Sequence, residues 1–186
     1  MPEAKARIAL LEEAQWDGET RDLLEKTRQQ DGRIFNIFRT LARHPKLLKR
    51  WMPFANHILF KNTVSFRERE ILILRIGWLC QAEYEWAQHV LFARRAGLSD
   101  AEIERIKQGA QAPGWNERER LLLTATDELR RDACIGQATW QALKQHYSAE
   151  QLMDIVFTVG QYNMVSMALN TLGVELDDGL VGFRGR

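Results

Sequence analysis

Apolar residues recur every three or four positions along most of the chain, and no run alternates strictly between apolar and polar residues. The first pattern is typical of amphipathic helices, whereas the second would indicate strands. Two capping boxes mark helix starts: Ser65 stands three residues before Glu68, and Ser99 three residues before Glu102. We therefore predict an all-α fold, a single-domain bundle of about 8–10 helices.

Glycine, proline and polar residues separate the predicted helices. Pro45 suits the first turn of a helix, whereas Pro53 predicts a kink or break within that same helix. The domain is predicted to span residues 1–186, with a helical extension over 1–32 and an irregular tail over 174–186. The other predicted helices are 8–14, 19–30, 34–43, 66–79, 83–96, 100–108, 117–131, 136–147 and 149–172.

An internal repeat emerges when the chain is shifted by about 49 residues. The shift places Glu68 on Glu117 and Ser99 on Ser148, and the order of the predicted helices agrees between the two copies. We predict a three-helix repeat whose copies pack about a pseudo-two-fold axis and share one core.

The first copy carries a candidate acid–base pair. Glu85 and His89 are four residues apart on a predicted helix, so their side chains lie on one face. The shift places Cys134 and Ala138 at these positions in the second copy. A carboxylate beside an imidazole favours the imidazolium or orients one ring nitrogen, as general acid–base catalysis requires. The alternative is an ordinary helix ion pair, which contributes about 0.2–0.5 kcal/mol.

Glu70 is predicted to join this pair. Two antiparallel helices joined near Gln81 would place Glu70 within about 5 Å of the level of His89 along the helix axis. The three side chains would then converge in a partly buried pocket, where the pKa of a carboxylate or of His89 would rise. The residues expected to wall this pocket or leave room for a ligand are Trp78, Ala82, Tyr84 and Trp86.

Charge and hydropathy limit the classes of partner. The chain has 26 Lys and Arg against 25 Asp and Glu, so we expect no nucleic-acid binding through general phosphate neutralisation. The most apolar stretch, 152–174, contains Asp154 and three amide side chains, which predicts a buried core helix and no membrane span. The first residues lack an apolar signal segment, so a cytoplasmic location is expected.

Large aromatic residues are numerous for short amphipathic helices, which predicts subunit contacts in a homo-oligomer built from dimers or trimers. The six residues behind this expectation are Trp51, Phe54, Phe60, Trp78, Phe92 and Trp140.

The cysteines and histidines lack the spacings of redox and metal sites. Cys80 and Cys134 form no CxxC motif, so each is predicted to be a small buried residue. The four histidines show neither an HExxH motif nor a paired spacing, so we expect no metal.

Six segments between 34 and 174 form a combined pattern: 35–45, 67–70, the run Glu83 to His89, 93–99, 161–163 and 172–174. Together they resemble the carboxymuconolactone decarboxylase superfamily, which includes the alkylhydroperoxidase D-like proteins. The resemblance implies an all-helical fold, chemistry without a cofactor, and a homo-oligomer, with a hexamer as the expected size.

The peroxidase branch of that superfamily carries a CxxC motif between the residues that match Glu70 and His89. Ala82 and Glu85 occupy the two cysteine positions here. The chain is therefore more similar to the decarboxylase-type branch, with its Glu-Trp-x-x-His pattern. That similarity implies a lyase acting on a small lactone or carboxylate from aromatic-compound degradation. His89 would be the acid, Glu85 would position it, and Glu70 would orient it or shuttle a proton.

An anionic substrate would need a cation, for which Arg75, Arg67 and Arg69 are candidates, although ion pairs with neighbouring glutamates are the alternative. Three functions remain open: a cofactor-free lyase or isomerase of small carbonyl acids, a peroxidase-like antioxidant using Cys80 or Cys134, and a non-catalytic oligomeric binding protein.

Overall fold

The computed structural model describes residues 6–183, and all its regular elements are helical. The all-α prediction is therefore confirmed. Residues 1–5 of the predicted extension and 184–186 of the predicted tail lie outside the described residues. After a 3-10 turn at Glu13–Gln15, the described helices are α1 (Gly18–Glu25), α2 (Asn36–Leu41), α3 (Pro45–Phe60), α4 (Phe66–Leu79), α5 (Glu83–Arg95), α6 (Asp100–Ile106), α7 (Glu117–Asp132), α8 (Gln137–Leu143) and α9 (Ala149–Leu172).

Helix α4 is the centre of the bundle and packs against α5, α7 and α9. Its start is fixed by Ser65, whose hydroxyl accepts a hydrogen bond from the amide of Glu68. Every residue from Glu68 to Gly77 is buried, including four charged ones. Buried charges are costly unless they are paired, so the partners of these side chains organise the interior.

Two ion pairs between α4 and α7 display the pseudo-two-fold relation of the repeat. Arg67 lies 2.8 Å from Glu119, and Arg118 lies 2.8 Å from Glu68. Each arginine is the second residue of its helix and each glutamate is the third. The two pairs exchange roles, as rotation about an axis between α4 and α7 requires.

The register of the repeat differs from the predicted one. The first helices of the two copies begin after Ser65 and Asn116, so the shift between them is two residues larger than predicted. The third helices begin after Ser99 and Ser148, which align as predicted. The cause is unequal lengths in the middle of the repeat, where α8 is much shorter than α5. Both copies nevertheless turn the same corner, with left-handed backbone at Gln81 (φ 53°) and Ala133 (φ 55°).

The corrected register changes the counterparts of the candidate site. Counted from the helix starts, Glu85 and His89 correspond to Thr139 and Leu143. The predicted correspondence with Cys134 and Ala138 is therefore wrong. Leu143 is fully buried in the apolar core between α4, α7 and α9. The second copy has therefore filled the equivalent position with core packing.

Two predicted elements near the N-terminus also differ. The segment before Glu13 is not helical among the described residues, since its backbone is tied down instead to α2 and α9 through bonds to Arg39 and Leu172. Helix α3 runs through Pro53 without a break. Pro53 is exposed, so water can satisfy the backbone carbonyl one turn earlier that loses its partner. None of the helices between residues 6 and 183 combines the length and the apolar composition that a membrane span requires.

Candidate active site

Three buried side chains form a continuous hydrogen-bonded line from α4 to α5. Nδ1 of His89 lies 2.6 Å from Oε2 of Glu70, and Nε2 of His89 lies 3.0 Å from Oε1 of Glu85. Glu70 is fully buried, and the other two side chains are nearly so. The convergence predicted from the pairing of the two helices is confirmed.

The two carboxylates set the charge of the imidazole between them. Burial alone would lower the pKa of His89. The negative charges of Glu70 and Glu85 and the hydrogen bonds to both carboxylates outweigh burial and raise that pKa to about 9. His89 is therefore an imidazolium at neutral pH, and each ring N–H donates to one carboxylate.

Arg69 anchors the inner end of the line. Its Nε and Nη2 donate to Oε1 of Glu70 at 3.0 and 2.8 Å, while Nη1 donates to the carbonyl of Leu59. The guanidinium also lies over the ring of Phe66, 4.5 Å from its centroid. Glu70 thus accepts from a cation on each oxygen, which holds the His89 ring in one orientation.

A cavity of about 350 Å³ opens beside this line. Glu85 and His89 line it, whereas Glu70 and Arg69 lie behind them. Its walls come from the end of α1, from α2, α3, α5 and from α9. The apolar and aromatic residues among them are Phe35, Ile37, Phe38, Trp51, Met52, Ala55, Leu59, Phe60, Tyr84, Phe92, Tyr162 and Val165. Such a mostly apolar space with a few polar groups is typical of a small-molecule site.

Helix α9 contributes two polar residues to the cavity wall that the sequence analysis left without a role. The ring of Tyr162 meets the His89 ring edge to face at 4.9 Å. Burial and the charges of Glu85 and Glu70 raise the pKa of Tyr162 well above its usual value, so it stays a neutral donor. Gln161 stands beside it. Polar residues within the most apolar stretch of the chain were the signal that could have identified both.

Two buried polar atoms on cavity-lining residues have no hydrogen-bond partner within residues 6–183. They are the indole Nε1 of Trp51 and Oε1 of Gln161. Buried polar groups are almost always paired in folded proteins. A small shift of either side chain toward a bound polar ligand would satisfy it.

Tyr84 lines the cavity, as predicted, and is held there by a residue of the C-terminal tail. Its hydroxyl donates to Oδ2 of Asp177 at 2.5 Å, and Nε2 of Gln88 donates to the same oxygen. Oδ1 of Asp177 accepts from the amide of Asn36 at 2.8 Å, and the amide of Ile37 donates to the Tyr84 hydroxyl. Asp177, which the sequence analysis missed, therefore ties the start of α2 to α5 across the cavity wall.

Three other predicted pocket residues lie elsewhere. Trp78 and Trp86 pack against each other with ring centroids 5.7 Å apart, in a cluster with Phe183 and the ammonium of Lys107. Ala82 is fully buried at the start of α5 and does not line the cavity. The prediction that they form its walls is wrong, because α1, α2 and α3 fold across the other side of α5.

The arginines predicted to bind an anionic substrate also lie away from the cavity. Arg75 forms a two-pronged pair with Asp127 at 2.6 and 2.9 Å and donates to two carbonyls at the end of α6. Gly109 permits this clamp, since a Cβ there would overlap the guanidinium. Arg67 is bound to Glu119 and Arg69 to Glu70, so neither lines the cavity.

Two cations do line the cavity at its mouth. Arg28 is bound to both carboxylate oxygens of Glu25. Lys26 is exposed and forms no ion pair with any residue that the structure describes. Lys26 is the cation available to an anionic ligand in this part of the molecule.

Neither cysteine reaches the cavity. The half-buried Cys80 thiol donates to Asn163 at 3.1 Å, and burial raises the pKa of that thiol. Cys134 is exposed, which corrects the prediction that both are buried, because it lies in the turn after α7. Among residues 6–183, no group of three or more His, Cys, Asp or Glu side chains is arranged to hold a metal ion.

Comparison with known proteins places this geometry in a recognised fold. The sequence model of the "CMD: Carboxymuconolactone decarboxylase family" matches residues 45–128, which include the whole Glu70–His89–Glu85 line. No curated protein sequence matches the chain significantly.

Solved structures match over most of the chain. An uncharacterized peroxidase-related protein from Ralstonia eutropha JMP134, described as an alkylhydroperoxidase AhpD core, is 19% identical with a TM-score of 0.82 over 92% of each chain. A peroxidase-related protein from Silicibacter sp. TM1040 is 18% identical with a TM-score of 0.77, covering 87% of this chain and 86% of that one.

A third structure is the debrominase Bmp8, a variant in complex with 2,3,4-tribromopyrrole. It is 13% identical with a TM-score of 0.77, covering 95% of this chain and 94% of that one. At these identities the likeness shows the fold. The sequence resemblance is thus confirmed: the chain contains a carboxymuconolactone decarboxylase family region at residues 45–128 within an alkylhydroperoxidase D-like fold.

Proposed function

We propose that this protein transfers a proton to or from carbon in a small, largely apolar lactone or carbonyl acid, without a cofactor. The supporting observation is the line Glu70–His89–Glu85, which carries a proton donor at neutral pH and ends in a cavity of about 350 Å³. A cavity of that size accommodates a single substituted ring and excludes a polymer.

Glu85 is the residue that exchanges the proton with the substrate in this proposal. Both ring nitrogens of His89 are occupied, one by Glu70 and the other by Glu85. A proton leaving the imidazolium toward the cavity therefore passes to Glu85 first. This differs from the sequence-based assignment of His89 as the acid that meets the substrate directly.

The reaction balances without a further reactant. In a decarboxylation, the bond between the ring carbon and the carboxylate breaks, carbon dioxide leaves, and the electron pair moves into the conjugated lactone carbonyl. Neutral Tyr162, which lines the cavity, would donate a hydrogen bond to the resulting enolate oxygen. The proton from His89, passed on by Glu85, then forms the new C–H bond, and solvent restores the imidazolium.

Lys26 is the proposed partner of the substrate carboxylate. It stands at the cavity mouth, and its ammonium would attract an anion from solvent. The Trp51 indole N–H and the Gln161 amide are proposed to hold a second polar group of the substrate, because both carry a buried atom without a partner in the described chain.

A thiol peroxidase or a thiol-dependent dehalogenase is a weaker candidate. Such chemistry needs a thiolate in contact with the substrate. Neither Cys80 nor Cys134 lines the cavity, and burial raises the pKa of Cys80, which opposes thiolate formation.

The proposal is tested with γ-carboxymuconolactone and a panel of simpler γ-lactone and β-keto acids. We expect at least one of them to lose carbon dioxide or to exchange a carbon-bound hydrogen, with loss of activity in Glu85→Gln. A protein that leaves every compound unchanged, while binding them in the cavity, would support the non-catalytic alternative.

A further inference from the structure

Helix α9 presents an unbroken apolar stripe to solvent on the face opposite its buried residues. Between positions 152 and 168, its exposed residues are Met153, Phe157, Gly160, Met164 and Met167. The four side chains are 59%, 55%, 45% and 55% exposed, in that order along the chain. The sequence analysis predicted a buried helix here, but α9 is buried on one side only.

The spacing of the stripe alternates between four and three residues over four steps. That alternation is the heptad seam of a coiled coil, in which one helix packs along another. The residues of α9 that pack in the interior of this chain lie on the opposite face of the helix, so the stripe is not part of the core. The stripe therefore has the spacing that a second helix packed along α9 would match.

The stripe is nearly symmetric about Gly160. Met153 and Met167 stand equally far before and after it, and Phe157 and Met164 differ by one residue in their separation from it. A Cβ at Gly160 would meet open space, so the backbone is accessible at the centre. We propose that the stripe is the interface of a homodimer, in which α9 packs antiparallel on α9 of a second copy with the two-fold axis at Gly160.

An isologous interface requires the same patch on both partners, and the symmetry supplies it. Antiparallel pairing sets Met153 of one copy against Met167 of the other, twice. The glycine lets the two helices approach closely where they cross. No exposed charge lies within the stripe, so like charges do not oppose self-association.

The surrounding surface extends the patch to the size of a dimer interface. Phe54 packs edge to face on Phe157 at 6.0 Å and is itself 37% exposed. An apolar groove runs from Met164 to Leu47, which is 50% exposed. Together these side chains expose roughly 600 Å², taking about 200 Å² for each large side chain. An exposed apolar patch of roughly 600 Å² is at the upper limit for a monomeric protein. It is near the ~800 Å² that each partner buries in a stable interface.

Light scattering of the full chain at micromolar concentration gives the first test. We expect an even number of chains for the wild type and at least a tenfold rise in the dimer dissociation constant for Phe157→Glu or Met164→Glu. Leu91→Glu is the matched control, since Leu91 is an exposed apolar residue on α5 (39%) and should leave the mass unchanged. A monomeric wild type, or glutamate variants that keep the wild-type mass, would overturn the proposal.

Cysteine cross-linking in a Cys80→Ser/Cys134→Ser background tests the antiparallel register and does not depend on disruptive variants. Gly160→Cys should cross-link to itself, as should the double variant Met153→Cys/Met167→Cys, which adds no bulk at the crossing. Met153→Cys alone should not, because two copies of that position lie about 21 Å apart along the paired helices. Efficient cross-linking of Met153→Cys alone would indicate parallel packing and would refute the arrangement.

Discussion

Nε2 of His89 lies 3.0 Å from Oε1 of Glu85, one helical turn earlier on α5, and both residues border the cavity. Glu70 on α4 holds the other ring nitrogen from behind. A proton can therefore travel from the buried side of the imidazole to a carboxylate at the cavity surface.

Replacing the histidine should stop turnover. We expect His89→Asn to lower kcat by roughly 10²–10⁴-fold, because the line Glu70–His89–Glu85, which acts as the proton relay, loses its proton donor. His44→Asn is the control, since His44 is an exposed residue before α3. Kinetics on whichever lactone or carbonyl acid the wild type turns over, together with thermal unfolding, make the measurement. Turnover of His89→Asn within tenfold of the wild type would exclude His89 from the proton path.

Stability should fall as the pH rises above neutrality. The pKa of His89 is raised from 6.5 to about 9 in the folded protein. The protonated imidazole therefore contributes fully to the free energy of unfolding below pH 6.5, and this contribution disappears as the pH rises to about 9. The expected loss is on the order of 3 kcal/mol of unfolding free energy, from about 1.4 kcal/mol for each unit. Urea titrations between pH 6.5 and 9.5 measure it. His89→Asn should flatten this slope, and an equal slope in the variant would contradict the assignment.

Removing Asp177 should destabilise the wall of the cavity. Asp177→Ala removes the carboxylate that accepts from the Tyr84 hydroxyl, the Gln88 side-chain amide and the backbone amide of Asn36. We expect a loss of about 2–4 kcal/mol, from roughly 1 kcal/mol or more for each unsatisfied group. Asp178→Ala is the matched control, because Asp178 is exposed and adjacent. Equal unfolding midpoints for the two variants would show that the tail does not hold α2 in place.

The cysteines should be dispensable. Cys80→Ser/Cys134→Ser is expected to retain activity within a few-fold, since neither thiol lines the cavity. The same double variant should be assayed with an organic hydroperoxide. If the wild type reduced the peroxide and the variant did not, a thiol mechanism would replace the proton relay.

The sequence predicts the central helices well because their ends carry local signals. Ser65, Ser99, Asn116 and Ser148 each cap a helix where the pattern indicated one. The relay was also predictable, since helical spacing sets Glu85 under His89 and the short connection at Gln81 brings α4 alongside α5. These are contacts within or between neighbouring elements.

The cavity walls were not predictable in the same way. Lys26, Trp51 and Asp177 are distant from α5 in sequence, and their positions depend on how the N-terminal helices and the tail fold across the bundle. The aromatic residues nearest the relay in sequence, Trp78 and Trp86, point instead to another cluster. Helical periodicity shows which face of a helix is apolar, but it does not show whether that face meets the core, a ligand or a second chain.

Deuterium transfer from solvent shows whether Glu85 delivers the proton to carbon. Wild-type protein and Glu85→Gln are incubated in D₂O with the lactone acid that the wild type turns over, and the product is examined by NMR. We expect the wild type to place one deuterium on the carbon at which the enolate is protonated, and Glu85→Gln to do so at least 100-fold more slowly. Equal rates of deuterium incorporation in the two proteins would contradict a proton relay that ends at Glu85.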